Sequence, residues 1–301
     1  MTLPAFLLPA LVAYLFLAVA GVIDKIILQT TIVSPRAYAF YVGILSILVV
    51  FLLPFGVVSL PDRRILIAAL VSGFANVYAL WAFYNALKGH EASRVITTVG
   101  ALIPVFTLLL SVIFLDEFLV PFQLLGFFIL LLGGIAVSLE ENVRKKYTFE
   151  LFNHAAQSAA LFAISFVLMR FVFLTEPFLN GLFWVRMGGV LGALSIIAVP
   201  ENFRRIYWAT KKAPKTAPIP FLFNQGLGGL GGLLQNYAIS LGSAALVGAI
   251  QGVQYAFLFL FSLTLMRYFP QLKEDGSLRQ KLERAAAVVV VGFGIYFLTI
   301  K

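Results

Sequence analysis

Residues 81–139 read WAFYNALKGHEASRVITTVGALIPVFTLLLSVIFLDEFLVPFQLLGFFILLLGGIAVSL, and the fold follows from how this stretch is divided. A polar, aromatic helix end comes first, with Trp81 and Tyr84, and a short charged hinge from Lys88 to Arg94 follows. An apolar helix carrying Thr97, Thr98 and Pro104 leads to an acidic turn at Asp116 and Glu117. A further apolar run with Gln123, Gly126 and Gly134 closes the segment. Each apolar run is about 20 residues long, the length that crosses a ~30 Å hydrocarbon core as a helix.

The same pattern fills the rest of the chain. Of 301 residues, 61% are hydrophobic and 12% charged, and the mean hydropathy is +0.98. A soluble domain carries about a quarter charged residues, so this chain has too few to cover a water-facing surface. It reads as an all-α integral membrane protein. Ten spans are expected, at 5–28, 37–60, 65–87, 92–115, 119–139, 151–174, 178–199, 217–241, 243–266 and 284–300. The longest connections, Pro200 to Thr216 and Phe269 to Glu283, are too short to be domains. Ala18-Val19-Ala20 resembles a leader cleavage site, but no Lys or Arg precedes it and the apolar run continues beyond it. The first run is therefore read as a span.

Displacing the second half over the first by 153 positions aligns Gly73 with Gly226, Tyr84 with Tyr237, Gly89 with Gly242 and Ala92 with Ala245, without a gap. Near the front of each half, at a displacement of 145 instead, Lys25 aligns with Arg170. Each half holds five expected spans, and an odd number forces two copies into opposite orientations. The expected architecture is thus ten transmembrane helices as two inverted five-helix repeats, 1–146 and 147–301. Such repeats mark secondary transporters, with the substrate near the midplane where the copies meet.

Charge placement bears on orientation. The loops after odd-numbered spans hold 17 Lys and Arg, against Arg63, Arg64 and Lys301 on the other side, with Arg170 and Arg186 inside spans. Taken alone, the positive-inside rule puts both termini outside the cytoplasm. The formal charge of +9 reads as topology signal and contact with anionic headgroups, not as nucleic-acid binding.

The segment from Pro104 to Gly134 resembles the EamA-type members of the drug/metabolite transporter superfamily. Those chains carry a Pro in the fourth span, an acidic residue just after it, Gln and Gly six and nine positions on, and a glycine late in the fifth span. Here these are Pro104, Glu117, Gln123, Gly126 and Gly134. Lys25, Arg170 and Arg186 also resemble the family, whereas Phe257 and Pro270 replace the Pro and the Glu in the second copy. The resemblance implies a ten-helix inverted-repeat carrier for small metabolites or amphipathic solutes, working by alternating access. It also implies cytoplasmic termini, opposite to the charge count.

Polar side chains within spans line a cavity or pair with one another. In the eighth span Gln225 and Asn236 are 11 residues apart, about three turns, and share a face. Between them runs GLGGLGG, and Gly228/Gly232, Gly248/Gly252 and Gly188/Gly192 have the spacing of close helix packing. Gln251 and Gln254 fall opposite Thr98 and Ala101 in the alignment, as facing walls of one cavity or as interhelical hydrogen-bonding partners. Trp81 and Tyr84 stack on a substrate or sit in the headgroup belt, the belt suiting Tyr84 better. Lys25, Arg170 and Arg186 favour an anionic or zwitterionic substrate if they face the cavity, or else snorkel to an interface. Glu91 and Arg94 form a helix-end pair, and Glu117 a cap or packing contact. Leu17 and Phe162 stand where small multidrug relatives in the superfamily carry a glutamate, which disfavours proton-coupled drug export by that route. Asp24 remains a candidate titrating group.

The expected function is a secondary carrier for a small-molecule substrate. It is placed in the plasma (inner) membrane, in contact with lipid, monomeric and without cofactor or metal. A non-transporting membrane subunit or receptor is the alternative. An intramembrane lipid-modifying enzyme is less well supported, because the chain has no Cys, only His90 and His154, and no zincin or nucleophile-elbow pattern.

Overall fold

The computed structural model describes residues 3–30, 34–90, 92–138, 149–214, 216–265 and 278–299. Within that set the chain is all helical. The elements are α1 (Leu7–Thr30), α2 (Pro35–Leu45) running into a 3-10 segment (Ser46–Phe55), α3 (Arg63–Gly89), α4 (Ala92–Leu115) and α5 (Pro121–Ser138). The second half adds α6 (Phe149–Thr175), α7 (Phe178–Ala198), α8 (Pro200–Lys212), α9 (Pro218–Leu241), α10 (Ala244–Ala249), α11 (Gly252–Leu265) and α12 (Leu278–Thr299).

Local chemistry sets many of the boundaries. Ser34 caps α2 by accepting from the Ala37 amide, with Pro35 in the first turn where no intrahelical donor is lost. Asp62 caps α3 through the Arg64 amide, and Ser243 caps α10 through the Ala245 amide. Gly56, at φ 65°, ends the 3-10 segment in a conformation that costs glycine no Cβ clash. Asp116, at φ 52°, turns the chain sharply after α4; aspartate tolerates that region better than most residues.

Seven helices among the described residues are long and apolar enough to cross a membrane, and they fall on the expected spans one, two, three, four, six, seven and nine. Pro121–Ala136 and Ala285–Leu298 are shorter apolar helices. α9 has 24 residues, but its glycines and amides dilute its hydropathy.

Two expectations need correction. The second span does not run helically to residue 60, because the chain tightens into 3-10 geometry from Ser46 and stops at Gly56 after Pro54. The ninth span is broken between α10 and α11 at Ile250 and Gln251, beside the glycines Gly248 and Gly252. The connection from Pro200 to Thr216, too short to be a domain, holds a helix of its own. This is α8, whose Asn202 and Ile206 are buried while Phe203 and Tyr207 are exposed.

Packing is dominated by α3 against α6 and α7, α1 against α9, α5 against α12, and α4 against α6. α3 and α7 cross at glycine. A methyl group on Gly73 would fall on the Val185 carbonyl and the Gly189 amide, and one on Gly188 would meet the Leu70 backbone. Hydroxyls join α3 to α6: Ser72 Oγ donates to the Ser165 carbonyl at 2.8 Å and Ser158 Oγ to the Ala79 carbonyl at 2.9 Å. Large apolar side chains such as Phe51, Ile113, Phe114, Leu132, Phe223 and Phe293 face outward. Polar groups inside and apolar groups outside are the arrangement that a lipid solvent selects.

Candidate functional site

At one end of the bundle the C-termini of α1 and α3 meet the N-termini of α2 and α9. Asp24 of α1 accepts hydrogen bonds there from Tyr38 Oη of α2 and from Asn224 Nδ2 of α9, the latter at 2.6 Å. Asn224 Nδ2 also reaches the Ala20 carbonyl at 3.3 Å, and Gln225 Nε2 approaches Tyr38 Oη at 3.4 Å. The Tyr38 ring stands edge-on to Tyr84 at 4.6 Å and to Phe221 at 5.2 Å. Asn224 is 1% exposed, and its Oδ1 has no hydrogen-bond partner among the described residues. A carboxylate, an amide and a phenol from three helices thus hold this end together.

Next to this cluster stands Trp81. Arg36 lies over its ring at 5.6 Å from the centroid, and the buried indole Nε1 has no acceptor among the described residues. Arg36 Nη1 also donates to Asn202 Oδ1 of α8 at 3.0 Å. Tyr41 of α2 and Thr210 of α8 share a further hydroxyl contact.

The opposite end is closed differently. Arg170 of α6 forms a salt bridge to Glu117, Nε to Oε1 at 2.8 Å, and its Nη1 donates to the Ile239 and Ser240 carbonyls at 3.1 and 3.0 Å. Those carbonyls belong to the last turn of α9, which lacks intrahelical donors and carries the negative end of the helix dipole.

Between the two ends, Arg186 projects from the middle of α7. It makes no hydrogen bond or ion pair among the described residues, and its Nη2 lies 3.7 Å from where a Cβ on Gly232 would stand. Gln235 of α9 donates to Tyr14 Oη at 3.2 Å, and Tyr14 donates to the Val247 carbonyl of α10 at 2.8 Å. α9 therefore contributes polar groups at each depth, with its glycine run leaving room around Arg186.

The residues singled out in the sequence are not all brought together. Gln225, Tyr84 and Trp81 gather at the Asp24 end. Tyr84 is 3% exposed, so the headgroup-belt reading fails for it, since a belt side chain must reach the interface. Arg170 is committed to Glu117 and the α9 terminus, which also gives Glu117 an ion pair in place of a cap. Asn236 is buried on α9, about 16 Å along the axis from Gln225. Gln251 does not face Thr98 across open space. Its amide packs on the Gly100 backbone, and Tyr255 Oη donates to the Ile96 carbonyl at 3.0 Å, so α4 and α11 touch. Gln254 is buried beside it. Lys25 lies on α1, but its side chain, like the Glu91–Arg94 pair, falls outside the described residues. Sequence reading missed Tyr38 and Asn224. The available signal was Asp24 itself, an acid within a span that needs donors, and the adjacent amides at Asn224 and Gln225 were the natural candidates.

Outward apolar surface, inward polar clusters and membrane-length helices define the class as an integral, multi-pass α-helical membrane protein. Residues 5–139 match the EamA-like transporter family, part of the drug/metabolite transporter superfamily. The family resemblance is therefore borne out over residues 5–139, and that family is one of transporters. Among curated proteins, none matches the chain. Of solved structures, 25 chains match. One of them, described only as the crystal structure of a protein, covers 98% of this chain and 96% of its own at 17% identity, with a TM-score of 0.63, and so shares the fold.

Proposed function

We propose that the protein is a secondary carrier of the plasma membrane that moves a small anionic or zwitterionic solute by alternating access. It works as a monomer of ten spans, with 1–146 and 147–301 as inverted repeats. The helix partners support the repeat: the third span of the first half (α3) packs on the first of the second (α6), and α1 packs on α9 in return. α5 with α12 and α2 with α7 pair like with like. Reciprocal exchange of this kind is what a pseudo-two-fold axis in the membrane plane produces.

Arg186 carries the reading. A guanidinium in mid-span is costly unless something neutralises it, and a cargo carboxylate or phosphate would do so bidentately. The two end clusters would then serve as alternating locks. Asp24–Tyr38–Asn224 would open one side while Arg170–Glu117 stays shut, and the reverse. The test is flux into proteoliposomes of an anionic metabolite first found by thermal shift. Arg186→Ala should abolish flux while the purified protein stays folded, and Arg186→Lys should retain a fraction of it. Wild-type flux in the alanine variant would remove Arg186 from the pathway, and no flux of any solute in the wild type would favour a non-transporting subunit.

A further inference from the structure

Beside the Asp24 end, α8 forms one wall of an open cavity of about 870 Å³ lined by Ser34, Arg36, Lys88, Arg204, Arg205, Trp208 and Lys212, among others. Five of its lining side chains are cationic and one, Glu201, is anionic. Glu201 is already engaged, by Arg205 at 2.5 Å and by Arg36 at 3.9 Å. Lys88, Arg204 and Lys212 have no protein partner among the described residues. Three segments far apart in sequence, the start of α2, the end of α3 and α8, are thus held together with an excess of positive charge. Their mutual repulsion is unfavourable, and an anion in the cavity relieves it.

The surroundings fix the depth and the kind of anion. α8 has the make-up of a helix lying in the headgroup layer: Phe203, Tyr207 and Trp208 are exposed, and Arg204, Arg205, Lys211 and Lys212 flank them. Lys211 sits over the Trp208 ring at 5.1 Å. A cavity of this size accepts a headgroup or a small metabolite. Forked guanidinium donors with nearby ammonium groups suit tetrahedral phosphate oxygens.

We propose that this cavity binds a phosphate-bearing anion at the membrane–water boundary, supplied either by an anionic phospholipid headgroup or by a soluble phosphate compound. The inference does not depend on transport. Thermal unfolding of the full chain in phosphatidylcholine nanodiscs tests it, with phosphatidylglycerol mixed into one arm and inorganic phosphate titrated into the other. Wild type should gain about 3 °C or more in at least one arm. The triple variant Lys88→Gln, Arg204→Gln, Lys212→Gln should lose most of that gain, and the control Arg63→Gln, Arg64→Gln, at the other end of α3, should keep it. Arg204→Glu alone should also lose it, which guards against misfolding of the triple variant. A gain confined to phosphatidylglycerol identifies a lipid, and one confined to phosphate a soluble ligand. No gain in either arm, or a gain equal in wild type and variants, overturns the proposal.

Discussion

Arg170 and Glu117, 53 positions apart, meet as a salt bridge of 2.8 Å in which the same guanidinium also holds two carbonyls at the end of α9. The sharp turn at Asp116 is what aims Glu117 at α6. One side chain therefore joins α6, the α4–α5 turn and the last turn of α9.

Removing the acid leaves a part-buried cation without its counter-charge. Glu117→Ala is expected to destabilise the protein by about 2 kcal/mol, reduced from the cost of a fully buried pair because both side chains keep some solvent contact. Arg170→Lys should cost a similar amount, since a single ammonium cannot span the carboxylate and both carbonyls. Chemical unfolding in detergent measures both.

At the other end, Tyr38→Phe deletes a donor to Asp24 without changing ring volume. The prediction is a loss of about 1–3 kcal/mol, the cost of an unsatisfied buried acceptor. Asn224→Asp, which sets a second carboxylate against Asp24, should be worse than Tyr38→Phe in the same unfolding assay. Equal stability of wild type and Tyr38→Phe would show that the contact contributes nothing.

The glycines divide by what surrounds them. Gly73→Ala should force α3 from α7 at a cost of about 1–3 kcal/mol, because the obstruction is backbone that cannot rotate away. Gly229, whose added Cβ would meet nothing within 4 Å, should tolerate alanine or gain up to about 1 kcal/mol in helix propensity. Melting temperatures of the two variants side by side decide the matter.

Hydropathy made the helices legible but not their interruptions. The fourth span was expected at 92–115 and α4 covers Ala92–Leu115, because span length is a sum over composition. The 3-10 segment after Leu45 and the break at Ile250–Gln251 depend on how neighbouring helices pack, which composition does not record. Lysines and arginines between Pro200 and Thr216 read as a charged connection, although Asn202 and Ile206 supply the buried face of an amphipathic helix. The Asp24 cluster escaped notice for a related reason: Tyr38 is 14 positions away and Asn224 200, and only the fold joins them. Arg186 was legible as a cation within a span, in need of a partner. That it has none among the described residues is a property of the structure alone.

The central claim is that Gly232 and Arg186 line a path that opens to each side of the membrane in turn. The native chain has no cysteine, so Gly232→Cys introduces a single reporter thiol, and its Cβ would stand in ordinary contact with the Arg186 guanidinium, 3.7 Å from Nη2, without a clash. Labelling this variant with a membrane-impermeant maleimide, applied to right-side-out and to inside-out vesicles, is the most direct measurement. The account predicts labelling from both sides, slowed from each by a transported anion. Labelling from one side only, or from neither while the denatured protein reacts fully, would contradict it.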